Sequence, residues 1–313
     1  MTNGNRHIPI LLTSIIAAVL YCCSARCHAQ EIEFPYTFPI FPLGPSTDTL
    51  EICILGDMMM HSAQIENART DTYEYDFSSY FMYLEDKIRS ADIAIANMEY
   101  TLAGKPYTGY PAFSAPEAYA TYLAGLGIDV FLTANNHIFD KGAAGADRTI
   151  DEFRKLGVSI TGIAQDQQMY DQVFPLILEC KGTSIALLNI TYGTNIGTGR
   201  EWPKIIRTSD REAITAALSK TDGCDFVLVL PHWGTEYHLN HSASQEKDAR
   251  WLIGHGADAI IGAHPHVIQD SQHIDGVPVF YSLGNAVSNM SATNTQMELM
   301  VTLKIVRYHN GNT

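Results

Sequence analysis

From residue 50 onward, apolar and polar positions fall into blocks that switch between two periods. Short, nearly unbroken apolar runs of strand length occupy residues 52–55, 93–96, 130–133, 174–178, 185–190, 226–230, 259–261 and 279–282, and a longer one covers 297–306. Between them, apolar residues recur at helical spacing over 80–89, 117–126, 143–156, 211–218 and 244–255. Lys181-Gly182-Thr183 separates two of the runs and predicts a hairpin. Strand and helix alternate early, and strands dominate later. This order predicts a layered α/β fold in one catalytic-size domain, residues 50–313. No internal repeat, low-complexity run or interior linker breaks the domain.

The first 49 residues follow neither period. Arg6 precedes a run over 8–23 without an ionised side chain, and Cys27-His28-Ala29 before Gln30 has the small residues of a cleavage site. The pattern predicts a secretory signal peptide over 1–29, because the run is shorter than the roughly 20 residues a membrane span needs. Cys22, Cys23 and Cys27 leave a lipid-anchored variant open, ranked second because Tyr21 and Arg26 are poor residues before a lipidated cysteine. Residues 30–49 hold Pro35, Pro39, Pro42 and Pro45 and read as an extended arm or linker. The expected location is outside the cytoplasm, in the periplasm or at the cell surface, with no transmembrane helix in the mature chain.

Composition narrows the partners. The chain of 313 residues is 46% hydrophobic and 17% charged, which places it among globular proteins. Its net charge is −14, and without the leader's two arginines it is about −16, from 18 basic and 34 acidic side chains. Such a chain lacks the basic face that nucleic acid requires, and no nucleic-acid partner is expected. An anionic substrate stays open if cations sit inside the site. Cys53, Cys180 and Cys224 remain after processing, without zinc-type spacing, and leave free thiols or one disulfide with a spare.

The chemistry-bearing residues stand just after apolar runs, where open α/β sheets place their ligands. In order they are Gly56-Asp57; Asn97-Met98-Glu99; Asn135-Asn136-His137 with Asp140; His232-Trp233-Gly234 with Glu236; and His264-Pro265-His266. Each fragment alone has a plain reading as a turn, a cap or a core histidine. Pro265 predicts an extended His264, so that two imidazoles two residues apart project to one side as a metal pincer. Six of the twelve histidines lie between His232 and His266. His238, His241 and His255 lack strand-end placement, and His61 could face either the site or solvent. Together, Asp57, Glu99, Asn136, His232, His264 and His266 offer mixed nitrogen and oxygen ligation. That set suits one or two divalent ions of Mn, Fe or Zn.

The same motifs in the same order, with Phe113-Ser114-Ala115-Pro116-Glu117 and Tyr281-Ser282-Leu283-Gly284-Asn285, resemble the CapA family of poly-γ-glutamate capsule proteins, within the calcineurin-like metallophosphoesterase superfamily. The resemblance runs from about Leu50 to Val287. It implies a four-layer αββα sandwich with metals at the strand ends. By position, Asp57 and Glu99 would be carboxylate ligands, Glu99 bridging. Asn136, His232 and His264 would hold one ion, and His266 would return to the other. His137 would be the catalytic histidine outside the ligand set. Asn97, Asn135, Asp140, Glu236 and Asn285 would support the ligands or touch substrate. Met59 stands where the wider superfamily carries a second ligand, and Glu99 where it carries Asp. The implied activity is metal-dependent hydrolysis of an anionic polymer or phosphoester, with the capsule synthesis machinery as partner. The rival is a component that binds, exports or anchors polymer without turnover.

Overall fold

The computed structural model describes residues 16–21, 28–33, 47–72 and 74–308. Strands β1 (Ile16–Tyr21) and β2 (His28–Glu33) pair antiparallel. The remainder of the expected leader and most of the expected arm lie outside the described residues. The domain then runs β3 (Thr47–Met58), α1 (Ser62–Ala68), α2 (Ser78–Phe81), α3 (Glu85–Ser90), β4 (Ile93–Met98), α4 (Glu117–Leu126), β5 (Val130–Leu132), α5 (Gly142–Leu156) and β6 (Ser159–Thr161). Its second part is α6 (Gln167–Val173), β7 (Leu176–Cys180), β8 (Thr183–Thr191), α7 (Arg211–Leu218), β9 (Phe226–His232), α8 (Ala243–Gly254) and β10 (Ala259–Ile261). It closes with β11 (Ser271–Ile274), β12 (Val277–Phe280), β13 (Asn285–Val287) and β14 (Val301–Tyr308).

Two sheets result. In the first, β3, β4, β5 and β6 are parallel neighbours. On the free side of β3, β14 pairs antiparallel along Thr47 to Ile54 and β13 pairs parallel at Asp57 and Met58. The second sheet has the order β11-β12-β10-β9-β8-β7, with β8, β9, β10 and β12 parallel and both edge strands antiparallel.

Period-two alternation along the strands builds the layers. Leu50, Ile52 and Ile54 of β3, Ile93 and Ile95 of β4, and Val130 and Leu132 of β5 share one core with Ile185, Leu187, Phe226, Leu228 and Ile261 of the other sheet. The opposite faces of the first sheet, including Leu55, Ala96 and Phe131, pack against Phe81, Leu123, Ile150 and Phe153. The second sheet turns Leu188, Ile190, Val229 and Val279 toward Ile214, Leu218, Ala249 and Leu252. Helices, sheet, sheet and helices form the expected αββα sandwich. Each fully buried Ile, Leu or Phe contributes on the order of 2 kcal/mol, so every central strand is anchored from both faces. No helix among the described residues is long and apolar enough to cross a membrane.

Local signals explain several boundaries. Helix α4 begins after Pro116 and ends at Gly127, whose φ of 114° closes the helix in the left-handed conformation. The side chains of Asp210 and Ser242 accept from Ala213 and Gln245 backbone N–H groups at the starts of α7 and α8.

Other expectations are corrected. The helix expected over 80–89 is split, because Leu84 donates to Phe81 and the tightened turn ends α2 before α3 starts. The apolar run 297–306 serves two partners: Glu298 bridges Gly284 and Leu299 donates to Leu283, whereas only Val301 onward pairs with β3. The strand expected at 279–282 starts at Val277, in a hairpin turned by Asp275-Gly276 with positive φ at both residues. Cys53, Cys180 and Cys224 are free, the first buried and the others half-buried.

Candidate metal centre

The parallel strands of both sheets end on the same side, and the polar motifs follow those ends. Asp57 is the penultimate residue of β3, Asn97 lies near the end of β4, and Glu99 just beyond it. Asn135, Asn136 and His137 follow β5, His232 ends β9, and His264 and His266 follow β10. Gly56 is required beside Asp57, since a Cβ there would lie 2.2 Å from the Gly284 carbonyl oxygen. The Asp57 N–H donates to that same oxygen at 2.9 Å, so the close backbone approach sets the carboxylate in place.

The side chains converge on Glu99. One donor atom each from Asp57, Glu99 and His266 lies within 4.8 Å of the others, and the same holds for Glu99, His232 and His264. Glu99 belongs to both groups. Its Oε1 is 3.6 Å from His232 Nε2 and 3.7 Å from His266 Nε2. A third group joins Glu236 to His264 and His266, bringing this half-buried carboxylate among the donor atoms, whereas its motif alone implies a supporting place. The Asn136 Oδ1 faces His232 Nε2 at 2.9 Å. The residues expected to ligate are thus brought together.

Hydrogen bonds from neighbours orient the donors. Asn97 donates to Asp57 Oδ1 at 2.7 Å and lies 3.2 Å from His232 Nδ1. Asn285 Oδ1 is 2.9 Å from His266 Nδ1, while its amide donates to the Thr295 carbonyl. Asn135 donates to the Met98 carbonyl and accepts from the His137 N–H, tying the turn after β5 to β4.

The expectation of an extended His264 is corrected. Its φ is 102° and that of His266 is 58°, so both sit in the left-handed region despite the proline between them. The geometry is held by the His264 N–H donating to Asp57 Oδ2 at 3.2 Å, with His266 Nδ1 also 3.2 Å from that oxygen. Such backbone costs about 1–3 kcal/mol per residue and persists where surrounding contacts enforce it.

Burial sets the electrostatics. Burial, reinforced by Asp57 and Glu236, pushes the Glu99 carboxyl up to about 8. It pushes the His232 imidazole down to about 3 and the His264 imidazole, crowded by His232 and His266, down to about 2. Both are therefore neutral, each with one ring nitrogen unprotonated. At His266 burial acts in the same downward sense, but Glu99 and Asp57 outweigh it and raise the imidazole to about 10. Burial would raise Asp57, yet the bond to His266 and the nearby imidazoles hold it below the usual carboxylate range.

The donor set fits a divalent metal. Among the described residues, both Glu99 oxygens, the Asn97 Oδ1 and the His264 Nδ1 are buried without any hydrogen-bond partner, a costly condition unless something further satisfies them. Imidazoles, carboxylates and an amide oxygen are together the donors of a divalent metal site.

His137 stands beside the cluster. Its Nδ1 lies 2.7 Å from Asp140 Oδ2, which also accepts the Phe113 N–H, and its Nε2 is 4.0 Å from Glu99 Oε1. Burial opposes the charged ring, but Asp140 and Glu99 prevail and raise its pKa. His61 caps α1, packs edge-on against Phe113 and accepts the Asn289 N–H at its Nδ1, so it borders the site without joining the donor groups. His241 pairs with Asp270 and His255 stacks on Trp251, both away from the centre.

Three contributors escape sequence reasoning. Asn195 places its amide 3.3 Å from His137 Nδ1 and donates its N–H to the Asn136 carbonyl, yet it belongs to a loop without a motif. Tyr192 lays its ring 4.5 Å from that of His264. Glu298 accepts the Gly56 N–H at 2.9 Å and is fully buried. A carboxylate inside the apolar run Met297 to Met300 is the signal that could have found it.

Known proteins resemble this chain in sequence or in fold. The family described as bacterial capsule synthesis protein PGA_cap matches residues 51–290. The PGA biosynthesis protein CapA of Bacillus subtilis (strain 168) is 28% identical over 278 residues, 85% of this chain and 70% of that protein. The capsule biosynthesis protein CapA of Bacillus anthracis is 27% identical over 269 residues, 81% of this chain but less than two thirds, 63%, of that protein. A hypothetical protein from Thermus thermophilus superimposes with a TM-score of 0.47 at 16% identity, over 78% of this chain and 79% of that one. The 5'-nucleotidase from Candida albicans SC5314 gives 0.44 at 11% identity, over 75% and 45%.

Proposed function

Because the chain belongs to the CapA family of bacterial capsule synthesis proteins, we propose that it is an exported, metal-dependent hydrolase acting on an anionic envelope substrate, a poly-γ-glutamate-related polymer or a phosphoester. The observation that carries this reading is Glu99, whose two unpartnered, buried oxygens stand where the two donor groups meet. Two divalent ions held by Asp57, Glu99, Asn136, His232, His264 and His266 would lower the pKa of a water and polarise the scissile phosphoryl or γ-glutamyl carbonyl group.

The remaining work falls to the chain. Asp140 accepts from Nδ1 and holds the His137 ring with Nε2 toward Glu99. From there Nε2 donates its proton to a leaving oxygen or nitrogen, or to charge developing on the substrate. The leader supports export to the periplasm or cell surface, with a lipid anchor as the lesser route, and the family supports the capsule synthesis machinery as partner.

Purified chain should bind Mn, Fe or Zn and cleave bis(p-nitrophenyl) phosphate or poly-γ-glutamate. Full activity after His264→Ala plus His266→Ala would refute the proposal. A second reading, polymer binding without turnover, is favoured by Met59. It is buried at a superfamily ligand position, and its sulfur lies 3.8 Å from the Ser288 hydroxyl. That reading predicts poly-γ-glutamate binding that survives His137→Ala.

A further inference from the structure

Two glutamine side chains are buried against an exposed loop beside the metal centre. Gln245 and Gln269 are 2% and 4% exposed, whereas Tyr237, His238, Leu239 and Asn240 of the loop face solvent. A buried amide is costly unless its hydrogen bonds are made, and here they are directed at the loop.

The loop spans residues 233–242, between His232 at the end of β9 and helix α8. Its far end is the cap of α8: Ser242 accepts the Gln245 N–H, and Gln245 Oε1 accepts the Ser242 N–H at 2.9 Å. The Gln245 amide then donates to Gln269 Oε1 at 2.9 Å. The Gln269 amide donates in turn to the carbonyls of His238, at 2.9 Å, and Asn240, at 3.2 Å.

Backbone contacts follow the same line. The Tyr237 N–H donates to the Pro265 carbonyl at 2.8 Å, and the Asp270 N–H to the Leu239 carbonyl at 3.3 Å. The His241 N–H donates to Asp270 Oδ1 at 2.8 Å, and the His241 ring stacks on Tyr281 at 4.0 Å. Pro265, Gln269 and Asp270 belong to the stretch that carries His264 and His266. The loop is clamped onto the segment that supplies two imidazole donors.

Glu236 is the residue this clamp presents. It stands on the clamped loop, and one of its oxygens lies within 4.8 Å of donor atoms of His264 and His266. The six expected ligands are buried, whereas Glu236 is half-buried and so stands on the solvent side of the donors. A carboxylate on a free loop has to be ordered when an ion arrives. On a clamped loop that ordering is complete once the chain has folded.

We propose that Gln269, braced by Gln245, is a positioning residue of the metal centre, locking loop 233–242 so that Glu236 serves as a further donor to the ion. This rests on the reading of the centre as a metal site, and it needs no turnover.

The test is calorimetric titration of the metal-free full chain with Mn, together with hydrogen exchange resolved by peptide. Glu236→Gln should weaken Mn binding about 10- to 100-fold, and Gln269→Ala about tenfold, the scale for a group behind a ligand. Gln269→Met, which keeps the volume without the amide, should match Gln269→Ala, so that a cavity does not explain the loss. Glu236→Gln combined with Gln269→Ala should bind no more weakly than Glu236→Gln alone, because the glutamine acts through the carboxylate. In the metal-free chain both Gln269 variants should speed exchange across 235–242, while protection of β8 and β9 stays at the wild-type level. The proposal is overturned if Glu236→Gln binds Mn as tightly as wild type does. It is equally overturned if the Gln269 variants leave affinity or exchange at wild-type values, or if the losses add in the double variant. A wild-type chain that takes up no Mn, Fe or Zn overturns this proposal and the metal-dependent hydrolase together. Metal uptake that depends on Glu236 and Gln269, without turnover of bis(p-nitrophenyl) phosphate or poly-γ-glutamate, supports the clamp and defeats the hydrolase alone.

Discussion

His137 and Asp140 form a buried pair, Nδ1 to Oδ2 at 2.7 Å, that turns the other ring nitrogen toward Glu99. The carboxylate is itself fixed by the Phe113 N–H, so the ring has little freedom to tilt. Asp140→Asn should retain bound metal while lowering kcat by about 10²- to 10⁴-fold, the span over which a positioned acid and its orienting partner act. The Asp140 carboxylate holds the His137 pKa up, so the variant should also lose activity at a lower pH than wild type on the alkaline limb. A pH–rate profile with an unchanged alkaline limb would count against the assignment.

Proton release should accompany metal uptake. Near pH 7 the Glu99 carboxyl, at about 8, and the His266 ring, at about 10, hold protons that a cation must displace. Calorimetric Mn titrations in buffers of differing ionisation enthalpy should report about one to two protons released per chain. The apparent affinity should rise with pH through this range, since metal-free protein is the better proton binder. Buffer-independent heats would contradict this.

Asn285 is placed to orient His266 through Nδ1 while bracing the Thr295 carbonyl. Asn285→Ala should weaken metal binding about 10- to 100-fold, the effect of losing a hydrogen bond behind a ligating imidazole. Equilibrium dialysis reads this directly, and thermal melting of the metal-free variant separates it from misfolding.

Glu298 should make the fold sensitive to alkali. Burial raises its carboxyl to about 7, with Asp57 adding to the shift and the Gly56 N–H opposing it. The proton is therefore bound more tightly in the folded chain than in the unfolded one. The associated stability is full below the ordinary carboxylate range and is lost as pH rises through about 7. Glu298→Gln should remove this dependence and gain stability relative to wild type between about pH 5 and about pH 8, by up to on the order of 3 kcal/mol. Urea melts at the two pH values compare the slopes.

Legibility in the sequence follows the strength of local signals. Helix α4, bounded by Pro116 and Gly127, and helix α7, begun at Asp210, match their expected ranges because cap and periodicity agree. Helices α1 and α6 are seven residues each, too short for a periodic pattern to stand out, and α1 is capped by His61 with Gln64, not by a usual capping residue. The motif residues of the site are readable because each directly follows an apolar strand. Asn195, Tyr192 and Glu298 are not, since their places depend on how loops and a returning strand fold over the centre. The backbone of His264 departs from its local signal for a related reason: Pro265 favours extension, but the bond from the His264 N–H to Asp57, 207 positions away, prevails.

The donor atoms come from two sheets. Asp57, Glu99 and Asn136 stand at or just past strand ends of the first, and His232, His264 and His266 at or just past strand ends of the second. Between those sheets the contact is an oily seam of aliphatic side chains, which resists separation but has little directional preference against sliding. An ion seated among these donors would rivet the seam at one end. Relative slip of the two sheets would then register first as a change in coordination, so the metal's spectrum becomes a gauge of how the halves of the sandwich are docked.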